Sequence, residues 1–331
     1  IFTNGDNDTF PLWYAQAVAD PHAKEMIHKA TGIYPTAESQ AAIRTAMDYK
    51  NKYLKGIRKD VSIANLSLLN TPWYIHQLRD KEGILFNMDK ELIEKMDFAL
   101  ERNAKGDAFE FKATPENHPE MAIGFEFGDP PAWRQDQGLI RSDLAVMQII
   151  KDNFGKRPIY FAVTCQSYIG FEEFTRNEGM VARVVHTKGM DQLGIERLLQ
   201  NIDSVYQYRS IGDTRVYKDA NMKSLVQNYG SGFAKAAQYY VALGDYKKAL
   251  SYAERAKKFI DNEVKLSEFY IAYYSALGKW DDLDKFIKRN IFPQDRGADI
   301  YISYVILHMM DKHPTKVLEY IEKGRLHPDS P

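Results

Sequence analysis

Residues 2–16 read FTNGDNDTFPLWYAQ, and residues 61–78 read VSIANLSLLNTPWYIHQL. Each runs from a short β-prone stretch through asparagine and threonine to proline, then Trp-Tyr, then a helical pattern. Oxygens of Asn, Asp or Thr accept from the free N–H groups that open a helix, and proline fits its first turn. Both stretches therefore predict strand–turn–helix units. A helix DLAVMQIIKDNF (143–154) leads into a third strand, RPIYFAVTC (157–165), and GMVARVVHTK (179–188) predicts a fourth. Strands alternating with helices predict an α/β domain over 1–189: a mostly parallel sheet with flanking helices.

Two stretches interrupt that pattern and read as insertions, about 20–57 and 82–140. The first is polar and helix-prone. The second holds a helix, DKELIEKMDFALERN (89–103), a hairpin, AFEFKATPENHPEMAIGFEF (108–127), and the turn-rich GDPPAWRQDQG (128–138), and is expected to form a flap over one end of the sheet.

From about residue 190 strand signals stop. ALGDYKKALSYAERA begins at Ala242 and ALGKWDDLDKFIKRN at Ala276, 34 positions later, with Gly244 matching Gly278, Tyr246 matching Trp280 and Ala249 matching Leu283. That period and its turn glycine are the tetratricopeptide pattern of stacked helix pairs. Residues 190–331 are thus expected to be all-α: a helical linker (190–208, with Leu193, Leu198, Leu199, Ile202 and Val205 on one face) and repeats at about 224–260, 263–290 and 297–324. Ala237, Ala249 and Ala256 fall where paired helices approach closely.

The composition narrows the function. Lys+Arg number 44 and Asp+Glu 45, a net charge of −1, so no global basic field collects nucleic acid. No apolar run approaches the roughly 18–20 residues of a membrane span. Cys165 is the one cysteine, which excludes an internal disulfide, and nothing in its surroundings reads as an activating partner. The histidines show no metal-ligand spacing and there is no phosphate-cradling glycine loop. No metal site is expected.

Asp6-Asn7-Asp8 has the D-x-D spacing with which sugar-nucleotide enzymes hold a metal and a diphosphate. The same residues read as a helix start, with Gly5 and Asp6 turning the chain and Asp8 or Thr9 capping. Strand C-termini of a parallel sheet share one edge, where ligands bind. Asn4, Asp6, Asp8, Asn65 and Asn70 would converge there, near the rings of Trp13 and Trp73, a mixture suited to carbohydrate or polar peptide. The tryptophans also read as helix residues packed on the sheet. Asp143 reads as a first-turn residue of its helix, or as a carboxylate facing the cleft.

Taken together, FTNGDNDTFPLWYAQ, VSIANLSLLNTPWYIHQLRD, RPIYFAVTC and the repeats after SVYQYRSIGD resemble the soluble C-terminal part of the DUF2723 family. These are multi-spanning membrane proteins similar to protein O-mannosyltransferases and other lipid-donor (type C) glycosyltransferases. The resemblance covers most of 1–18 and 58–80, then about 138–290. It implies a membrane-embedded N-terminal half preceding Ile1, holding the catalytic carboxylate and a polyprenyl-phosphate sugar donor. No catalytic residue is then expected in this chain. The Asp6–Asp8 turn would face that membrane-side site, on the extracytoplasmic (periplasmic) side of a bacterial inner membrane. The partners implied are the protein's own transmembrane region and a protein acceptor or partner held by the repeats. Two alternatives stand beside this: an autonomous metal-dependent sugar-binding enzyme using Asp6 and Asp8, and a non-catalytic scaffold for protein–protein interaction.

Overall fold

The computed structural model describes residues 1–21, 36–95, 109–127, 140–189, 194–260 and 263–290, with Thr315, Leu318, Ile321 and Glu322. The chain divides into two compact units, Ile1–Ile195 and Glu196–Pro331.

The first unit begins with β1 (Phe2–Thr3) and α1 (Asp6–Ala17), then α2 (Ala37–Tyr53), β2 (Ala64–Asn65), a single 3-10 turn (Leu68–Asn70) and α3 (Pro72–Lys81). It continues through α4 (Lys90–Lys95), the strands β3 (Phe109–Ala113) and β4 (Ile123–Phe127), α5 (Arg141–Asn153), β5 (Tyr160–Ala162), β6 (Thr175–Asn177) and β7 (Val181–Val184). Among the described residues the main sheet has the order β2-β1-β5-β7-β6. Phe2 and Thr3 pair in parallel with Ala64 and Asn65, and Phe2 also pairs in parallel with Phe161. β7 then pairs antiparallel with both β5 and β6.

The sheet is therefore mixed, where the sequence predicted a mostly parallel one. A parallel return needs a crossover, usually helical. Between β5 and β7 the chain instead makes one 3-10 turn (Glu172–Phe174) and a tight turn at Gly179, so β7 folds straight back. The strand the sequence reading lacks, β6, is the short polar run Thr-Arg-Asn, which has no apolar alternation to announce it.

Phe2 and Phe161 pack ring against ring at 4.9 Å in a core with Leu69, Tyr74, Ile75, Leu78 and the buried face of α5. β3 and β4 form the expected antiparallel hairpin. Rather than a free flap it is part of the core: Phe111 and Phe125 meet the Phe171 ring edge-on at 4.9 and 4.8 Å. The helix expected over 89–103 is described only as far as Lys95, and the turn-rich 128–138 segment lies outside the described residues.

The described part of the first insertion is mainly helix α2, which is tied to the end of α3 and to the loop before β2. Thr36 caps it by accepting from Ser39 N–H at 3.2 Å. Lys50 in its last turn is buried, 2.5 Å from the Glu82 carboxylate and bonded to the Val61 carbonyl. Residues 55–57 then run against the end of α1, with Gly56 N–H donating to Gln16 O at 2.9 Å. A Cβ at Gly56 would lie 1.9 Å from the Ala15 carbonyl oxygen, so this approach admits glycine alone.

The second unit is helical. α6 (Ile195–Gln200) runs on as a π-type turn (Asn201–Val205) with Leu198 and Ile202 buried; Leu193 lies outside the described residues. α7 (Ala220–Ala242) pairs with α8 (Tyr246–Ala256), and α9 (Ser267–Ala276) with α10 (Trp280–Asn290). The turns within the two pairs place Gly244 and Gly278 at φ +74 and +65, the left-handed region glycine enters without cost. Ala237, Ala249 and Ala256 are fully buried, as expected of close-approach positions. Tyr208, Phe233 and Phe259 cluster within 5.1–5.7 Å, and Arg255 lies over the Phe233 ring at 4.3 Å while pairing with Asp203. Most of the third expected repeat lies outside the described residues.

Candidate functional site

The three adjacent parallel strands end at one edge, and a hydrogen-bonded network links the loops and helix starts beyond them. Helix α1 starts earlier than its proline suggested: Gly5 is the N-cap and Pro11 sits inside the helix. Asp8 is the third helical residue. Its Oδ1 accepts from Gly5 N–H at 3.1 Å and its Oδ2 from Asn4 N–H at 2.9 Å, satisfying two backbone donors at the entry to the helix. Oδ2 also accepts from the Thr164 hydroxyl at 2.5 Å, just past β5. One carboxylate thus ties the start of α1 to the third strand.

Thr9, expected as a possible cap, is buried and plays another part. Its hydroxyl lies 2.6 Å from that of Thr3 in β1 and accepts from Asn65 Nδ2 of β2 at 3.0 Å. Asn65 Oδ1 in turn accepts from Leu68 N–H at 3.1 Å, opening the 3-10 turn. Asn70 ends that turn: its Oδ1 accepts from Ser142 N–H at 3.2 Å, at the start of α5. Asp143 Oδ2 accepts from Ile140 N–H at 3.0 Å at the same helix start. Ser67 Oγ donates to Asn4 O at 3.3 Å, closing the link between the first two loops.

Of the residues read from the sequence, Asn4, Asp8, Asn65, Asn70 and Asp143 belong to this linked set. Asp143 is a buried first-turn residue. Asp6 is exposed on the first turn of α1. Trp13 is half-buried against the core and stacks on Phe10 at 5.7 Å. Trp73 departs from the reading as a packed residue, being 57% exposed. Once Pro72 opens α3, the helical period turns Tyr74, Ile75 and Leu78 inward and leaves Trp73 outside. Phe10 and Tyr14 on α1 are likewise 52% and 68% exposed. The residues the sequence reading missed are Thr3 and Thr164; Thr9 it read as a cap and not as a buried link to Thr3 and Asn65. Their available signal was a hydroxyl or amide at the C-terminal end of every parallel strand.

The donor set does not suit a metal-bound diphosphate. Both Asp8 oxygens are engaged by Asn4, Gly5 and Thr164, and among the described residues no group of three or more His, Cys, Asp and Glu could hold a metal ion. Cys165, next to Thr164, is a buried free thiol. Burial, with the Asp8 carboxylate adding to it, pushes its thiol up to about 12, and Sγ donates to Phe2 O. Burial also pushes Tyr74 up to about 12; its hydroxyl accepts from Asn65 N–H and donates to Ile63 O. The network is structural. What it offers outward is the Asp6 carboxylate, the Asn4 side chain and exposed aromatic rings.

The family model of TMEM260-associated domain 2 matches residues 132–204, a span that includes α5, β5, β6 and β7. No curated protein and no solved structure matches the chain.

Proposed function

We propose that this chain is the extracytoplasmic part of a multi-spanning, glycosyltransferase-like membrane protein. Its α/β unit helps position an acceptor or a polyprenyl-phosphate sugar, and its helical unit binds protein through tetratricopeptide-like repeats. One observation carries the reading. The blocks that bear the family resemblance meet in a single network: residues 1–18 and 157–165 through Asp8–Thr164, 1–18 and 58–80 through Thr9–Asn65, and 58–80 and the start of α5 through Asn70–Ser142.

On this reading Asp8 holds the loops, while Asp6, Asn4 and Trp73 meet the ligand. Exposed indole, carboxylate and amide groups are each suited to a hydroxyl-rich surface. Bond-making belongs to the membrane half, where a carboxylate would take the proton of an acceptor hydroxyl as the lipid phosphate leaves. No helix among the described residues is long and apolar enough to cross a membrane.

Two assays test this. The purified chain incubated with a polyprenyl-phosphate sugar and an acceptor peptide should give no product, and turnover would refute the proposal. In the full-length parent, Trp73→Ala with Asp6→Asn should lower glycosylation severalfold while leaving the protein folded. Unchanged glycosylation would favour a scaffold instead.

A further inference from the structure

Helices α9 and α10, with Lys257 just past the end of α8, line an open surface cleft of about 300 Å³. That is the size of a small ligand site. One face of α10 supplies Asp282, Lys285 and Arg289, α9 supplies Tyr270 and Tyr274, and Lys257 closes the α8 side. Three cations therefore face one lining carboxylate. A second acid, Glu254, pairs with Lys257 at 3.1 Å, whose ammonium lies 5.3 Å from the Tyr270 ring centre. Lys285 and Arg289 are exposed at the mouth.

Their spacing specifies the occupant further. Four residues along a helix rise about 6 Å. Side chains on one face of an extended peptide recur every ~6.6 Å. Lys285 and Arg289 thus match carboxylates at alternate positions of an extended segment, the guanidinium donating two parallel hydrogen bonds to one of them. Asn290 Nδ2 donates to Phe286 O at 3.2 Å, and its amide oxygen is the group that would accept a peptide N–H. Stacked Tyr270 and Tyr274, 5.8 Å apart, give the apolar stems a wall.

We propose that this cleft binds an extended protein segment with acidic residues at alternate positions. The proposal names the partner chemistry of the helical unit and rests on its reading as a protein-binding array. Basic residues near a helix C-terminus also stabilise the helix itself, but that role would move stability and leave peptide affinity unchanged.

The experiment is fluorescence anisotropy of the full chain with an end-blocked peptide of alternating glutamate and threonine, carrying an uncharged dye. The glutamate peptide should bind, weaken as salt rises, and lose about tenfold in affinity when Lys285→Ala and Arg289→Ala are combined, roughly two exposed ion pairs. Lys247→Ala on α8 should change nothing. A glutamine-for-glutamate peptide binding equally well would overturn the acidic preference and leave the protein-binding array standing. Undiminished binding by the double variant, no binding of either peptide, or binding only of anionic phospholipid vesicles or inorganic phosphate would overturn the proposal outright. The glycosylation assay on the full-length parent is unaffected by any of these results.

Discussion

Asp8 shows how much one carboxylate can organise. It answers two backbone N–H groups and the Thr164 hydroxyl. Replacing a capping side chain by alanine typically costs ~0.5–2 kcal/mol, and the lost contact to Thr164 adds to that. Asp8→Ala should therefore lower urea stability by about 2 kcal/mol, and Thr164→Val by less. An Asp8→Ala variant as stable as wild type would remove the network from the fold's support. Cys165 gives a second test. Its folded thiol sits at about 12, against an ordinary value of 9.0. Between those pH values the unfolded chain releases a proton that the folded chain retains. Stability therefore falls as pH rises through that window, by up to ~1.4 kcal/mol per pH unit. Cys165→Ala should flatten this limb in urea melts at stepped pH.

Among the elements, the sequence made legible whatever had local pattern. Pro72 marks the start of α3 because it occupies the first helical position. Pro11 misleads, because α1 is nucleated by Asp8 reaching back past the proline's own turn. Strands β1, β2, β5 and β7 carried β-prone runs, but strand direction did not show. Whether β7 runs with or against β5 depends on the absence of a crossover helix, a tertiary fact. The threonines of the network were invisible as a set because they lie far apart in sequence and meet only through β pairing. Close packing is testable at this scale. A Cβ on Gly230 of α7 would sit 2.5 Å from Ile260 Cγ1. Gly230→Ala should thus destabilise the helical unit by ~1–3 kcal/mol, despite alanine's better helix propensity. Ile260→Ala in that background should recover part of the loss, a coupling that a double-mutant cycle would measure.

For the whole molecule, two compact units with separate cores imply separable unfolding. Calorimetry should resolve two transitions, with Asp8→Ala lowering one and Gly230→Ala the other. A single transition shifted by both substitutions would contradict this. The near-neutral charge balance conceals local imbalance, since the α9–α10 cleft gathers cations that the totals cancel elsewhere.

Helix α2 also bears on ancestry. Its Lys50 ammonium neutralises Glu82 in a protected position, and losing one partner of such a pair is costly. Lineages that have dropped the 37–53 segment should then have exchanged the acid at position 82 for an uncharged residue. Deletion and exchange should be inherited together across an evolutionary tree.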